Sequence, residues 1–511
     1  MNKKENQYEQ FLEILNQKIE NFQHKIDAQQ YGIVTEVGDA VAKLVGLNAA
    51  SLGDVVQFLD DGKGIVMKID PTSVTIMLFN KINKLKQGSE VFLTGGKLKI
   101  SVGDELLGRV INPLGESVDD LGPILCDEQR LIEVESLGIM DRTSVFQPLQ
   151  TGITIIDSLI PIGLGQKQLI LGDRQTGKTT IAIDAIINQK RIKDEGGEFA
   201  YCVYVAIGKK ASEIAKIYEL FKKLGVMDNV VIVAATASDA SSMQYISPMV
   251  GATIAEYFRD KKEHALVVFD DLTKHADAYR EISLLMRKTP ARGAYPGDIF
   301  YLHSKLLERA VKTCDELGGG SVTMLPIIET LEGDISGFIP TNVISITDGQ
   351  IYMDKDIFFD GQKPAINIGL SVSRIGSSAE HKNMKMIAGS LKGELSQFLD
   401  YESFAKSVSE LDQETQNIID RGKLLMSIFK QKMHHLLSKE EMIIILFAGT
   451  KGLIKHIVNL EKYMQHLISH IHSNHIQIIK KLRLNEALSQ ELQKELSDII
   501  IEFSQGYECL R

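Results

Sequence analysis

Residues 172–179 read Gly-Asp-Arg-Gln-Thr-Gly-Lys-Thr, an instance of G-x-x-x-x-G-K-[ST]. An apolar run, Gln168-Leu169-Ile170-Leu171, precedes it, and a helical apolar pattern from Thr180 to Ile187 follows. Such a loop works only between a strand and a helix, because its N–H groups and the helix N-terminus must converge on one phosphate chain. The region is therefore expected to be α/β. Gly172, Asp173, Arg174, Gln175, Thr176 and Gly177 would form the cradle for ATP or ADP. Lys178 would neutralise the β- and γ-phosphates, and the Thr179 hydroxyl would ligate Mg²⁺. The alternative, a structural glycine turn, lacks a reason for the flanking strand and helix.

The chain has 511 residues, too many for one core, so about two to four domains are expected. A net charge of −10 argues against a nucleic-acid binder, which would carry a basic surface. Cys126, Cys202, Cys314 and Cys509 are scattered, without C-x-x-C pairing, and read as reduced thiols of a cytosolic protein. The N-terminus, Met1-Asn2-Lys3-Lys4-Glu5-Asn6, is polar and does not read as a signal peptide. The longest apolar run, Met442 to Ala448, is far short of the roughly 20 residues that span a bilayer. Membrane association is thus expected only through other subunits.

Pattern divides the chain into four parts. Residues 7–28 place Phe11, Leu12, Leu15, Ile19, Phe22 and Ile26 at helical spacing, so 1–30 reads as an amphipathic helix that packs on the body or docks another subunit. Residues 31–97 hold short strand-like runs separated by Gly and Asp turns, the pattern of a small closed β-barrel. Over 98–385 strands and helices alternate, and near-continuous apolar runs such as Ala200–Ala206, Val230–Ala234, Ala265–Phe269 and Ser321–Leu325 favour a largely parallel sheet. Residues 386–511 read as helical. The expected architecture is a multidomain α/β protein: N-terminal β-barrel, central P-loop (RecA-like) nucleotide-binding domain and C-terminal helical domain.

Phosphate chemistry also needs an acidic residue at a neighbouring strand end to hold the Mg²⁺ shell. Leu266-Val267-Val268-Phe269-Asp270 supplies that pattern, with Asp270 as the candidate and Asp271 next. Hydrolysis further needs a group to orient the attacking water. The strand after the P-loop helix ends in Gly208-Lys209-Lys210. If Lys209 faces the γ-phosphate, it is a cation and cannot act as a base. The other reading is a solvated surface lysine, and spacing does not choose between them. His466, His470, His472 and His475 suggest a metal cluster at first sight, but no cysteine or acidic spacing supports one. With Leu467, Ile468, Ile471, Ile476 and Ile479 they read better as an amphipathic helical surface. Gly318-Gly319-Gly320 reads as a turn before a strand.

The chain resembles the α subunits of F-type ATP synthases, the non-catalytic nucleotide-binding partners of the β subunits. The resemblance rests on Pro148–Gly152, Asp157–Gly163, Val233–Ala240, Phe269–Leu272, Ala294–Asp298, Leu306–Arg309, Ile339–Gln350 and Ser371–Gly376. The Asp-Arg-Gln-Thr inside the P-loop is α-like rather than β-like. The family implies an α₃β₃ ring with β-type catalytic subunits around a γ-type rotor shaft, and a δ-type or stator contact through the N-terminal helix. It implies a peripheral position on the cytoplasmic face of the membrane and no nucleic-acid partner. By resemblance, Arg374 is an arginine finger reaching into the β-type site, worth about 10³–10⁵ in rate when supplied in trans. Ser371 is carried over as required for activity, and Gln431 as a base contact.

Several features depart from the family pattern, among them the segment Ser427 to Leu437 and the divergent tail from residue 455 onward. Lys209 stands where α chains usually carry Gln and β chains the catalytic Glu. Lys363 replaces a usual Arg, and Met433 a usual Gln of the base-contacting loop. Two other functions share the core fold. One is the α-like subunit of an F₁-like motor paralogue, of the kind found in wall-less bacteria, driving motility or surface transport. The other is an autonomous homohexameric ATPase, such as a transcription terminator or export ATPase, against which Lys209 argues because a homohexamer needs its own catalytic carboxylate.

Overall fold

The computed structural model describes residues 31–509 except 39, 60–61, 80–84, 406–411, 456, 458 and 485–487. The amphipathic helix expected over 7–28 lies outside the described residues.

The first unit is a closed antiparallel barrel. Its strands are β1 (Tyr31–Val37), β2 (Val41–Val45), β3 (Asp54–Phe58), β4 (Lys63–Asp70), β5 (Ser73–Leu78) and β6 (Glu90–Lys97), joined in the order β1-β2-β5-β4-β3-β6. Side chains alternate between interior and exterior: Val34, Ala42, Leu44, Val56, Phe58, Ile76 and Val91 fill the core, while Lys43 and Val45 point out. Strand β2 has no clear run in the sequence, because Val-Ala-Lys-Leu-Val mixes a small and a charged residue into five positions. Closure leaves no unpaired strand edge, which suits a core this small.

The second unit contains the P-loop. Its strands are β7 (Val110–Ile111), β8 (Leu169–Gly172), β9 (Ala200–Lys209), β10 (Val230–Thr236), β11 (His264–Asp270), β12 (Ser321–Glu329), β13 (Gly349–Met353) and β14 (Val372–Ser373). They lie in the order β14-β13-β8-β12-β11-β9-β10-β7, all parallel except β14, and Val311–Lys312 pairs antiparallel on β12. Every residue of β11 is buried, as are Cys202 to Ile207 of β9. A strand covered on both faces has no polar side to show, which is why these runs lack alternation. Each fully buried Leu, Val or Phe there contributes about 1.5–3 kcal/mol relative to exposure. The covering helices include α1 (Thr154–Leu159), α2 (Lys178–Asp194), α3 (Ala211–Lys223), α4 (Ser241–Asp260) and α5 (Leu272–Leu285).

The parallel register sets the site. Gly172 lies opposite Glu329 on one side and Met353 on the other, Phe269 opposite Pro326, and Ala206 opposite Asp270. The carboxyl ends of β8, β12, β11 and β9 therefore fall along one edge, where ligands of open α/β sheets bind.

From Lys382 onward the described residues form helices and the loops that join them. The helix Lys439–Thr450 begins at Ser438, whose hydroxyl accepts from the Glu441 N–H while the Glu441 carboxylate accepts from the Ser438 N–H. All seven residues of the apolar run 442–448 are buried within it. A helix apolar all round belongs inside a bundle. It touches Lys382–Ala388, Gln413–Ile428, Leu460–Asn474, Ile476–Arg483 and Gln490–Cys509. In the tail, Leu467, Ile471 and Ile479 are buried, as the amphipathic reading expects, but Ile476 is 52% exposed. The helix breaks at His475, so the apolar stripe does not continue in phase across that position. Among the described residues no group of His, Cys, Asp or Glu is placed to hold a metal ion. His472 instead lies 3.1 Å from Glu441, and His470 3.0 Å from Asn474.

A buried ion pair ties α4 to the segment after Leu307. Arg309 donates to both Glu256 oxygens at 3.0 and 2.6 Å, to Thr253 Oγ1 at 2.8 Å and to the Ile132 carbonyl at 3.0 Å. Both side chains are more than nine-tenths buried. Removing one partner strands the other charge, so Arg309→Met should destabilise the chain by about 3–5 kcal/mol, whereas the double variant Arg309→Met/Glu256→Leu should recover much of that. Thermal unfolding of the purified variants followed by circular dichroism checks both.

Candidate functional site

The P-loop spans Gly172 to Thr179 between β8 and α2. Gly172 (φ 154°) permits the close approach of β13, since a Cβ there would lie 2.4 Å from the Met353 carbonyl oxygen. Gly177 adopts φ 100° as the residue before α2. Asp173 is buried and accepts from Thr330 Oγ1 at 2.6 Å and from the Gly333 N–H at 2.9 Å, which fastens the loop to the segment after β12. Thr176 Oγ1 donates to the Asp173 carbonyl at 2.8 Å. Arg174, whose side chain is largely exposed, pairs with Glu329 at the end of β12. Lys178 donates to the carbonyls of Gly172, at 2.7 Å, and Asp173. Burial pushes the Lys178 ammonium below the usual lysine range, against the pull of Glu329, Asp271, Asp270 and Asp173. The ammonium thus sits curled over the loop where a phosphate would give it full charge compensation.

Thr179 and Asp270, the expected metal pair, are together: the hydroxyl donates to Asp270 Oδ2 at 2.8 Å. The same oxygen accepts from the Tyr204 hydroxyl at 2.8 Å and lies 2.9 Å from the Lys209 ammonium. Lys209 Nζ is also 3.4 Å from Thr179 Oγ1. Lys209 is therefore not a solvated surface lysine; its side chain is 16% exposed. A β-bulge delivers it. The β9–β10 register shifts between Ile207 and Lys209, with Gly208 at φ 62°, and such a shift re-aims the next side chain. Asp271 caps α5 by accepting from the Lys274 N–H at 2.8 Å, and burial together with the neighbouring Asp270 pushes its carboxyl up to about 6.

A cavity of about 390 Å³ opens from the P-loop toward Phe358, Lys363 and the 431–433 loop. Gln431 lines it, but its amide is engaged: the oxygen accepts from the Thr154 N–H at 3.0 Å, and the nitrogen donates to the carbonyls of Gly152 and His435, each at 2.7 Å. Met433 offers only a thioether, and Lys363 lies 4.4 Å over the Phe358 ring. His434 holds the loop to α2 through Asp184, Nδ1 to Oδ1 2.7 Å. Burial raises the Asp184 carboxyl, and His434 opposes that shift. The base end of the cavity is thus mostly apolar.

Arg374 lies apart from this cavity. It is exposed and follows β14, its N–H donating to the Asp348 carbonyl at 2.8 Å. Ser371 is buried. Its hydroxyl accepts from the Tyr352 N–H at 2.9 Å and donates to the Asn367 carbonyl at 2.6 Å, which pins the strap carrying Arg374 onto β13. The structure therefore gathers residues 172–179, Asp270, Lys209 and Gln431 around one cleft and places Ser371 and Arg374 beyond β13. Sequence reasoning did not single out Tyr204, Glu329, Thr330 or His434. Glu329 ends an apolar strand just as Asp270 does, and that was the signal available for it.

A parallel sheet with a P-loop at its carboxyl edge, in a chain that also carries a closed barrel and a helical bundle, defines a P-loop nucleotide-binding protein. Residues 152–373 match the nucleotide-binding domain of the ATP synthase alpha/beta family, 27–95 its beta-barrel domain and 380–503 its C-terminal domain. ATP synthase subunit alpha of Rickettsia bellii (strain OSU 85-389) is 46% identical over 503 residues, covering 97% of this chain and 98% of that relative. The chain belongs to the ATP synthase alpha/beta family, and within it to the alpha subunits of the F-type enzyme.

Lys178→Ala should weaken nucleotide binding by the isolated full-length chain about 10- to 100-fold, the loss expected for a charge-assisted contact of 1.5–3 kcal/mol. Titration with ADP by calorimetry measures it, and unchanged affinity would remove Lys178 from the site.

Proposed function

We propose that this chain is the non-catalytic nucleotide-binding subunit of an F₁ ring, holding ATP or ADP in its own P-loop and completing the catalytic sites of β-type neighbours with Arg374. One observation carries the first half: among the described residues, the carboxylates at the sheet edge are all engaged. Asp270 accepts from Thr179 and Tyr204 and is paired with Lys209, Asp271 caps α5, and Glu329 pairs with Arg174. Each already accepts a hydrogen bond or forms an ion pair, which disfavours a role as base toward an attacking water, and the residue at the end of β9 is a cation. The exposed position of Arg374, on a strap braced by Ser371, supports the second half. Ser371 acts as a positioning residue, since both its hydrogen bonds go to backbone. The partners are β-type subunits in an α₃β₃ ring and a γ-type shaft, with a δ-type or stator contact through the N-terminal segment. Among the described residues no helix is long and apolar enough to cross a membrane. The chain would sit on the cytoplasmic face through other subunits.

A Mg²⁺ ion accompanying the nucleotide would draw on Thr179 and Asp270. These two oxygens do not fit a divalent cation while the Lys209 ammonium lies on both. The two other functions are not favoured. A motor paralogue has in its support only departures in sequence, at Lys209, Lys363 and Met433, over 427–437 and in the tail from 455. An autonomous hexamer requires the carboxylate that Lys209 replaces.

Arg374→Ala should leave ADP binding by the isolated chain unchanged while lowering ATP hydrolysis by the assembled ring about 10³-fold or more. Steady-state turnover of the reconstituted ring, beside calorimetry of the chain, separates the two effects, and full turnover would remove the finger role.

A further inference from the structure

Asp270 Oδ2 gathers three donors: the Thr179 hydroxyl and the Tyr204 hydroxyl, each at 2.8 Å, and the Lys209 ammonium at 2.9 Å. The ammonium is a further 3.4 Å from Thr179 Oγ1. It therefore sits against both oxygens of the hydrogen-bonded pair that would otherwise share a divalent cation. Its placement is built in at both ends. The bulge at Gly208 turns the side chain toward the P-loop, and glycine is required there: φ is 62°, and a Cβ at 208 would lie 2.9 Å from Gln244 Oε1 and 3.1 Å from Lys274 Cβ. Tyr204, five residues before Lys209 on the same strand, is fully buried and holds the Asp270 carboxylate in place.

We propose that the Lys209 ammonium replaces the divalent cation in this chain's own nucleotide site, so that the P-loop takes its nucleoside di- or triphosphate as a metal-free anion. The inference rests on the reading of residues 172–179 as a nucleotide cradle. An ammonium carries three N–H donors; one serves Asp270 and a second the Thr179 hydroxyl, which leaves the third for a phosphate oxygen entering over Thr179. Mg²⁺ demands near-octahedral oxygen ligands at about 2.0–2.1 Å and keeps several waters. That volume and charge conflict with a resident cation on the same two oxygens. Lys178 supplies the second positive charge from the opposite side, as its hydrogen bonds to the Gly172 and Asp173 carbonyls place it on the loop itself. Two lysines then perform the neutralisation that elsewhere takes one lysine and a metal.

The test is the affinity of the purified full-length chain for ADP, measured by calorimetry in MgCl₂ and in excess EDTA, for the wild-type protein, Lys209→Gln and Lys209→Arg. The expected result is a wild-type Kd that changes less than about threefold between the two buffers, and a Lys209→Gln Kd at least about tenfold weaker in EDTA, a tenfold change being about 1.4 kcal/mol. Lys209→Arg keeps the charge and should keep the indifference to metal. Electron paramagnetic resonance with Mn²⁺ gives a reading on the wild-type protein alone: the ADP complex should hold no bound Mn²⁺, whereas that of Lys209→Gln should hold one. A wild-type chain that needs Mg²⁺ as strongly as Lys209→Gln, or that binds Mn²⁺ with its ADP, overturns the proposal and leaves the cradle reading intact. Absence of ADP binding by the wild-type chain in both buffers overturns the cradle reading and the proposal together.

Discussion

The parallel register of β8, β12, β11 and β9 is the constraint on which the rest depends. It brings Gly172, Glu329 and Asp270 to one edge and, with the bulge at Gly208, Lys209 as well, although they are spread over more than 150 positions of sequence. Burial on both faces holds that register, because a slip would expose apolar strands or leave ladder groups unpaired. The polar chemistry at the edge is then assembled at little conformational cost, each group standing at the end of a strand that packing already fixes. The Asp173 contacts to Thr330 and Gly333 extend the same logic to the loop, making the phosphate cradle part of the sheet rather than an appendage.

Much of this was legible in the sequence, for identifiable reasons. The P-loop and Asp270 are read locally, because glycines, a lysine and strand-terminal acids carry their geometry with them. The barrel is read from period-two runs, though β2 escapes because Lys43 and Ala42 dilute its pattern. The apolar run 442–448 is read as too short for a membrane, and its buried position at the heart of the bundle gives the reason for its composition. Lys209 is the instructive failure. Strand alternation leaves its direction undetermined, and a bulge at Gly208 decides it. The His434–Asp184 bond joins residues 250 apart, and no local pattern announces such a pair. Ile476 shows the converse: a helical stripe extrapolated through His475 loses phase where the helix breaks.

The two lysines of the cleft illustrate how position changes meaning. Lys178 stands at a helix N-terminus, where the peptide dipoles already favour an anion, and adds to that field. Lys209 stands beside Asp270 and cancels a negative charge that would otherwise repel phosphate. On the proposed reading both would face the ligand, Lys178 from the loop and Lys209 from the place of a divalent cation. A sequence count of positive charge near the loop cannot separate these roles.

Strand β13 has two neighbours of different character. On one side Met353 fills the space left by Gly172, and on the other the Tyr352 N–H holds the Ser371 hydroxyl and so the strap that ends in Arg374. The P-loop cavity and the strap that carries Arg374 are thus mounted on opposite sides of a single beam. A shift of a few tenths of an ångström in that beam, too small to break any bond, would be felt at both mountings at once. The stiffness of five residues, Gly349 to Met353, therefore sets how independently the two ends of this molecule can drift, in a working cycle or across generations of sequence change.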